Sequence, residues 1–304
     1  MRRHAFAALA LASVSVAACT TGGPAIPPPP EGLTPPVQQL LDASPASDWR
    51  PLDPENTLYM EFPKGRVVIE LAPTFAPNHV ANVKTLSREG YFANGAVTRV
   101  QDNFVAQWAQ AVEPERGPAV GKKTLKAEFF VPRSTAANFT VLPDPDTYAA
   151  EVGFVDGLPA ARDADTAWGA HCYGVVGVGR DTDDDSGGGT ELYAIIGQSP
   201  RNLDRQITVL GRVVQGMEIL SSLQRGTGDA GFYKTPQEYA RYADIKVAAD
   251  VPAAQRTNLE VLRTDSATFA GVVNNRRWRK DDFYRHPVGR IGLCNITVPS
   301  RPIK

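Results

Sequence analysis

Arg99, Phe104 and Gln107 fall close together in AVTRVQDNFVAQWA (96–109), a mostly apolar run. No acid lies in the AVTRV segment itself, so Arg99 is either a solvated strand charge or a cation aimed at something. A guanidinium stays charged and offers a fixed fork of donors, which suits it to polarising a group that it does not attack. Arg99 and Gln107 share strand parity and Phe104 does not. The three can share one face only if the chain breaks its alternation between Gln101 and Asn103, where the residues are good turn formers.

Other chemistries find less support. His171 and Cys172 are adjacent, and strand neighbours face opposite sides, so they do not form a thiol dyad. His79, His171 and His286 are scattered and have no metal-ligand spacing. In DTDDDSGGGTE (181–191) the aspartates alternate as in a calcium loop, but the glycine comes one place late and Glu191 one place early. There is no G-x-S-x-G, and the glycine runs do not open helices after strands. No metal and no cofactor is expected. With 32 basic and 33 acidic residues the chain shows no bias toward nucleic acid.

The elements that must hold the trio are short strands. TLYMEF and RVVIEL around PKG read as a hairpin. Val80, Val83 and Leu86 mark one helical face, with Asn78 placed to cap it and Gly90 to stop it. CYGVVGVGR and ELYAIIG read as strands flanking the acidic loop. ITVLGRVV is another strand, Met217, Leu220 and Leu223 mark a second short helix, and ADIKVAAD and GRIGLCNITV supply late strands. Residues 111–170 look like an insertion with short strands of its own. Many short antiparallel strands with two helices predict a mainly β fold, a closed barrel.

Residues 1–18 have two arginines, a short apolar core and small residues, the pattern of a signal peptide. They end at VAAC (16–19), which looks like a bacterial lipobox, with Cys19 as the lipidated residue. No Asp follows Cys19, so the expected location is the periplasmic side of the outer membrane. Residues 19–56 are proline-rich and are expected to form an extended tether, with the apolar island 37–41 able to dock on the body. Cys172 and Cys294 form either a disulfide or two buried thiols.

Three stretches, GRVVIELAPTFAPNHVANVKTLSREGYF, VTRVQDNFVAQWA and VLGRVVQGMEIL, resemble the cyclophilins, which are peptidyl-prolyl cis–trans isomerases. The resemblance covers about 57–110 and 172–250. It implies a cyclophilin-like closed antiparallel barrel of about eight strands with two short helices, over 57–250, with the insert at 111–170. Residues 251–304 would be an extension packing on the barrel. By resemblance Arg99 is the catalytic cation, Phe104 a wall of the proline pocket and Gln107 the group that orients the arginine or the substrate backbone. Val105 and Leu203 match apolar pocket positions. Tyr193, Glu191 and Arg180 stand where the family has phenylalanine, glutamine and asparagine, and Asn202 and Ile207 where it has tryptophan and histidine. Trp108, in place of a family glycine, is expected to pack against the insert.

The resemblance implies an isomerase acting on X-Pro segments; with the signal at residues 1–19, the expected substrates are folding envelope proteins and the chain a monomer held to the membrane by its lipid anchor. The alternative is a proline-peptide-binding chaperone or scaffold with little or no turnover. Rotation about X-Pro meets a barrier of about 20 kcal/mol from amide resonance. No covalent bond needs to break for that barrier to fall, which is why a donor and an apolar wall suffice.

Overall fold

The computed structural model describes residues 31–111 and 116–303. The signal peptide, Cys19 and the first part of the tether lie outside the described residues. Among the described residues no helix is long and apolar enough to cross a membrane.

The hairpin read from PKG forms between Thr57–Phe62 and Gly65–Leu71, with Phe62 opposite Gly65. It belongs to a nine-stranded antiparallel sheet. From one edge the order is Ala240–Arg241, Ala96–Val100, Val105–Ala109, Leu192–Ile195, Val175–Val178, Val209–Gln215, Gly65–Leu71, Thr57–Phe62 and Ile245–Val247. The two edge strands are halves of one segment. Its first half pairs with Ala96–Val100, its second with Thr57–Phe62, and Ala243 at the crossover bonds both Asn94 and Glu61. The edges therefore meet through one chain, so the sheet curls into an eight-segment barrel and leaves few bare strand edges.

Alternation along the strands sorts side chains into two cores. Inward residues such as Leu58, Ile69, Val97, Ala106, Leu192 and Leu210 fill the barrel together with Val83 and Leu86 of the helix Pro77–Arg88 and Leu220 of Met217–Ser221. Trp108 is fully buried in this barrel interior and not against the insert, because it shares parity with Ala106. Outward residues of the same strands, Val105, Tyr193, Ile195 and Val209, join a second core. The insert supplies Phe154, Leu158 and Trp168 to it, and the C-terminal segment supplies Val261, Phe269 and Ile296.

The insert contains a five-stranded sheet of short strands, with Leu158–Arg162 at its centre. Its leading stretch is tied down by polar contacts. Asn82 of the helix Pro77–Arg88 bonds both the Lys122 and Gly188 carbonyls, at 2.8 and 2.7 Å. Asn78 does not cap that helix with its side chain. Glu128, from the insert, accepts the backbone N–H groups of Asn78 and His79 at 3.1 and 3.0 Å. Gly90 stops the helix with φ +71°, and Tyr91 N–H closes on the Leu86 carbonyl at 2.9 Å.

Part of the expected tether is folded. Val37–Asp42 is a helix against Ala267–Trp278, and Val37 and Leu41 reach the second core. Trp49–Pro51 pairs with Leu259–Leu262, which also pairs with Ser300–Pro302. Proline content masked enough apolar surface, above all the buried Trp49, to order this stretch. The strand expected within 289–298 is instead a 3₁₀ turn, Leu293–Asn295, whose Leu293 anchors in the second core together with the following Ile296 and Val298. Cys172 and Cys294 are disulfide-bonded, with Cα atoms 5.0 Å apart, so the C-terminal segment is stapled to the barrel wall.

Candidate active site

Arg99 and Gln107 are direct cross-strand partners on the outer face of the barrel. A register shift between Val97 and Arg99 locally breaks the alternation, and a turn follows in which Phe104 N–H bonds the Gln101 carbonyl. Asn103 has φ +54° there. The turn, not the register shift, lies at the Gln101–Asn103 stretch where parity required a break. The turn is clamped from outside: Ile196 N–H bonds the Phe104 carbonyl at 2.9 Å, and Gln198 N–H bonds Asn103 Oδ1 at 2.8 Å. Gly197 is needed at that contact, since a Cβ would lie 2.1 Å from the Asn103 carbonyl carbon.

All three guanidinium nitrogens of Arg99 are held. Nε donates to the Ala230 carbonyl at 2.7 Å, one terminal nitrogen to Gln107 Oε1 at 2.9 Å, and the other to Gln101 Oε1. Those bonds take one hydrogen from each nitrogen, and each terminal nitrogen has a second. The guanidinium carbon lies 5.6 Å from the Phe104 ring centroid and 5.1 Å from that of Phe232. Two aromatic faces and three bonds fix the cation without neutralising it. Gln107 passes the chain onward, its Nε2 donating to Glu191. Burial lowers the Arg99 pKa from its ordinary value, and the Glu191 charge offsets part of that effect. The guanidinium remains charged at physiological pH.

The other predicted residues differ in burial. Phe104, Leu203 and Ile207 are half-buried, while Val105 and Tyr193 lie deeper, 2% and 4% exposed. Arg180 does not extend free into the site. Its Nε donates to the Gln206 carbonyl at 2.9 Å, a terminal nitrogen donates to the Asp181 and Thr182 carbonyls, and the guanidinium carbon lies 5.3 Å from the ring centroid of Phe129 in the insert. The aspartates of the acidic loop serve structure: Asp183 caps the loop's own 3₁₀ turn, and Asp185 accepts Ala127 N–H from the insert. Among the described residues no three His, Cys, Asp or Glu side chains converge on a point that could hold a metal.

Three contributions escaped the sequence reading. The first is the loop 226–233, which supplies the Ala230 carbonyl and the Phe232 ring. Its signal was only a glycine-rich composition. The second is Gln101. The third is His171, fully buried, whose Nε2 meets the Tyr193 hydroxyl at 3.0 Å while Nδ1 faces Asp204 at 3.1 Å. A tyrosine at an apolar wall position signalled that some partner was required, without saying which.

A curled antiparallel barrel that presents a fixed guanidinium, an amide and aromatic walls on its outer face has the layout of a cyclophilin-like protein. The family model for cyclophilin type peptidyl-prolyl cis-trans isomerase/CLD matches residues 57–247. A probable peptidyl-prolyl cis-trans isomerase of Brucella suis biovar 1 (strain 1330) is 28% identical over 187 residues, 61% of this chain and 81% of that protein. Its counterpart in Brucella abortus (strain 2308) is 27% identical over the same length. The crystal structure of cyclophilin AquaCyp293 from Hirschia baltica superposes with a TM-score of 0.67 at 27% identity. That likeness covers 83% of this chain and 92% of the other, more than residues 57–247 alone supply. The chain belongs to the cyclophilin-type peptidyl-prolyl cis-trans isomerase family, and its fold and activity class are those of that family.

Proposed function

We propose that Arg99 is the catalytic group and that the isomerase acts on X-Pro segments of envelope proteins from the periplasmic side. The carrying observation is the Arg99–Gln107 pair at 2.9 Å on a clamped hairpin. In the planar amide the prolyl nitrogen lends its lone pair to the carbonyl. As the C–N bond twists, that lone pair localises on nitrogen, and a second N–H of Arg99 donates to it. The bond is better in the twisted state than in the planar one, so it lowers the barrier. No proton is transferred and no covalent bond forms. Phe104, Val105, Leu203 and Tyr193 form the apolar wall that holds the ring, and Gln107 keeps the guanidinium in register.

The location rests on residues 1–18 and on Cys19 as the lipidation site, with the chain acting as a monomer on an anchor. The test is NMR exchange spectroscopy on an Ala-Pro peptide with the full chain. Acceleration abolished by Arg99→Ala supports the assignment; normal peptide binding without acceleration in the parent chain would select the chaperone reading instead.

A further inference from the structure

Phe283 and Val288 are each 84% exposed, the most exposed large apolar side chains of the described chain, and they lie in one loop, 279–290. Exposed as they are, these side chains sit on a braced loop. Asp281 accepts the N–H groups of Phe283 and Tyr284 at 2.9 and 2.8 Å and receives Arg279 Nε at 2.9 Å. Arg279 stacks 3.8 Å from the Tyr284 ring centroid. At the far end Gly289 N–H bonds the Arg277 carbonyl at 2.9 Å, with its Cα against the Trp278 ring. Arg277 is itself locked by a buried bidentate pair with Asp144. The loop is thus braced at both ends while its apolar tips are exposed.

Around the tips the charge is basic. Arg276, Lys280, Arg285 and Arg290 are all exposed, against the exposed Asp282 and, beside Leu33, the exposed Glu31. The N-terminal segment leaves the body at the same place. Thr34 N–H bonds the Lys280 carbonyl at 2.9 Å and Lys280 N–H returns to Thr34 Oγ1 at 2.8 Å. One residue earlier Leu33 is 69% exposed. Residues 1–30, with Cys19 among them, therefore connect to the body beside the loop.

We infer that this face is a lipid-contact surface: Phe283, Val288 and Leu33 enter the interfacial region of a bilayer containing anionic phospholipid, and the surrounding arginines and lysine meet its phosphates. Apolar tips in a basic collar match the two attractions that hold a peripheral protein at such a surface. The site where the N-terminal segment departs brings the face to the membrane. The inference depends on the anchor reading only for that last point. It adds an orientation: the body is docked on the bilayer, not swinging free on a tether.

The test uses the full chain carrying Phe283→Trp, with Phe130→Trp in the insert as the control, since Phe130 is also exposed. Vesicles of phosphatidylglycerol and phosphatidylcholine, with brominated acyl chains, are added to each. With phosphatidylglycerol the tryptophan at 283 is expected to shift to the blue and to be quenched about tenfold more than that at 130. Lys280→Glu with Arg285→Glu is expected to remove most of the difference. Equal quenching at the two positions, or no quenching at 283, overturns the inference. Shielding at 283 by envelope protein without lipid quenching would assign the face to a protein partner and also overturn it. The mass of the N-terminal peptide reports acylation of Cys19 separately, so failure of the anchor reading and failure of the docking face are distinguishable.

Discussion

The Tyr193 hydroxyl meets His171 Nε2 at 3.0 Å, at the boundary between the barrel's outer wall and the insert. Asp204 takes the other ring nitrogen and also accepts the His171 backbone N–H at 2.9 Å. A carboxylate can only accept, so Nδ1 donates to Asp204, and in a neutral ring Nε2 then receives the phenol. Burial pushes the Tyr193 phenol far above its ordinary value, so it remains a donor. Burial alone would raise Asp204, but the bonds from His171 and the charge of Arg201 outweigh it and hold the carboxyl below its ordinary value. This relay sets the orientation of the Tyr193 side chain.

His171→Leu should therefore strand the Tyr193 hydroxyl and destabilise the chain by about 1–3 kcal/mol. It should also raise KM for Pro-containing peptides more than it lowers kcat. Adding Tyr193→Phe should restore most of both losses, because the hydroxyl that needed a partner is gone. Denaturant melts and steady-state kinetics on the single and double variants measure this. A double variant no better than the single would show that His171 acts in some other way.

Arg99→Ala should lower kcat/KM by about 10²-fold or more, the usual cost of losing a donor to transition-state charge. Arg99→Lys should recover little of it, since an ammonium has three N–H donors, and bonding Gln107, Gln101 and Ala230 would leave none for the prolyl nitrogen. A protease-coupled assay on an Ala-Pro peptide gives both numbers.

Gly231→Ala tests positioning without touching the substrate. Gly231 has φ +80°, and a Cβ would stand 2.5 Å from the Gln101 Cα. The loop must shift, and the Ala230 carbonyl with it. We expect a rate loss of about tenfold, with a stability change near 1 kcal/mol. Kinetics and thermal melts of the same preparation separate the two effects.

Acid should release the insert from the helix Pro77–Arg88. Burial pushes Glu128 up, but bonds from the His79 ring and the Asn78 and His79 backbone outweigh it, so the carboxyl lies below its ordinary value of 4.5. A depressed carboxyl stabilises the fold fully above the unfolded value and less and less as pH falls through the folded one. Glu128→Gln should cost about 1 kcal/mol at pH 7 and flatten the stability curve below about pH 4.5. Urea midpoints from pH 7 to 3 for both chains supply the comparison.

The Cys172–Cys294 bond closes a separation of 122 residues. Replacing both cysteines by serine should lower stability by about 3–5 kcal/mol. The isomerase rate at 25 °C should stay within about twofold of the parent, since the barrel's own strands hold the Arg99 hairpin. Unfolding curves with and without reductant, beside rates for both chains, check the two halves of that expectation.

Local order could be read directly from the residues. Period-two alternation in TLYMEF and RVVIEL, the helical spacing of Val80, Val83 and Leu86, and Gly90 as a stop all act within a few residues, where backbone sterics and side-chain direction decide. The parity conflict between Arg99 and Phe104 even located the turn that brings them together. Trp108 was misplaced because a substitution at a family glycine says nothing about which face is crowded, whereas its parity with Ala106 does.

What only the tertiary structure decided involves partners far apart in the chain. Arg99 is satisfied by Ala230, 131 residues away, and the helix start by Glu128, 50 residues away, while Tyr193 finds His171 across 22 residues of strand and acidic loop. A buried donor must find an acceptor, so the sequence determines that a partner exists. Which group fills that role depends on which segments the two cores bring into contact, and that is settled by packing over the whole chain, not by any local run of residues.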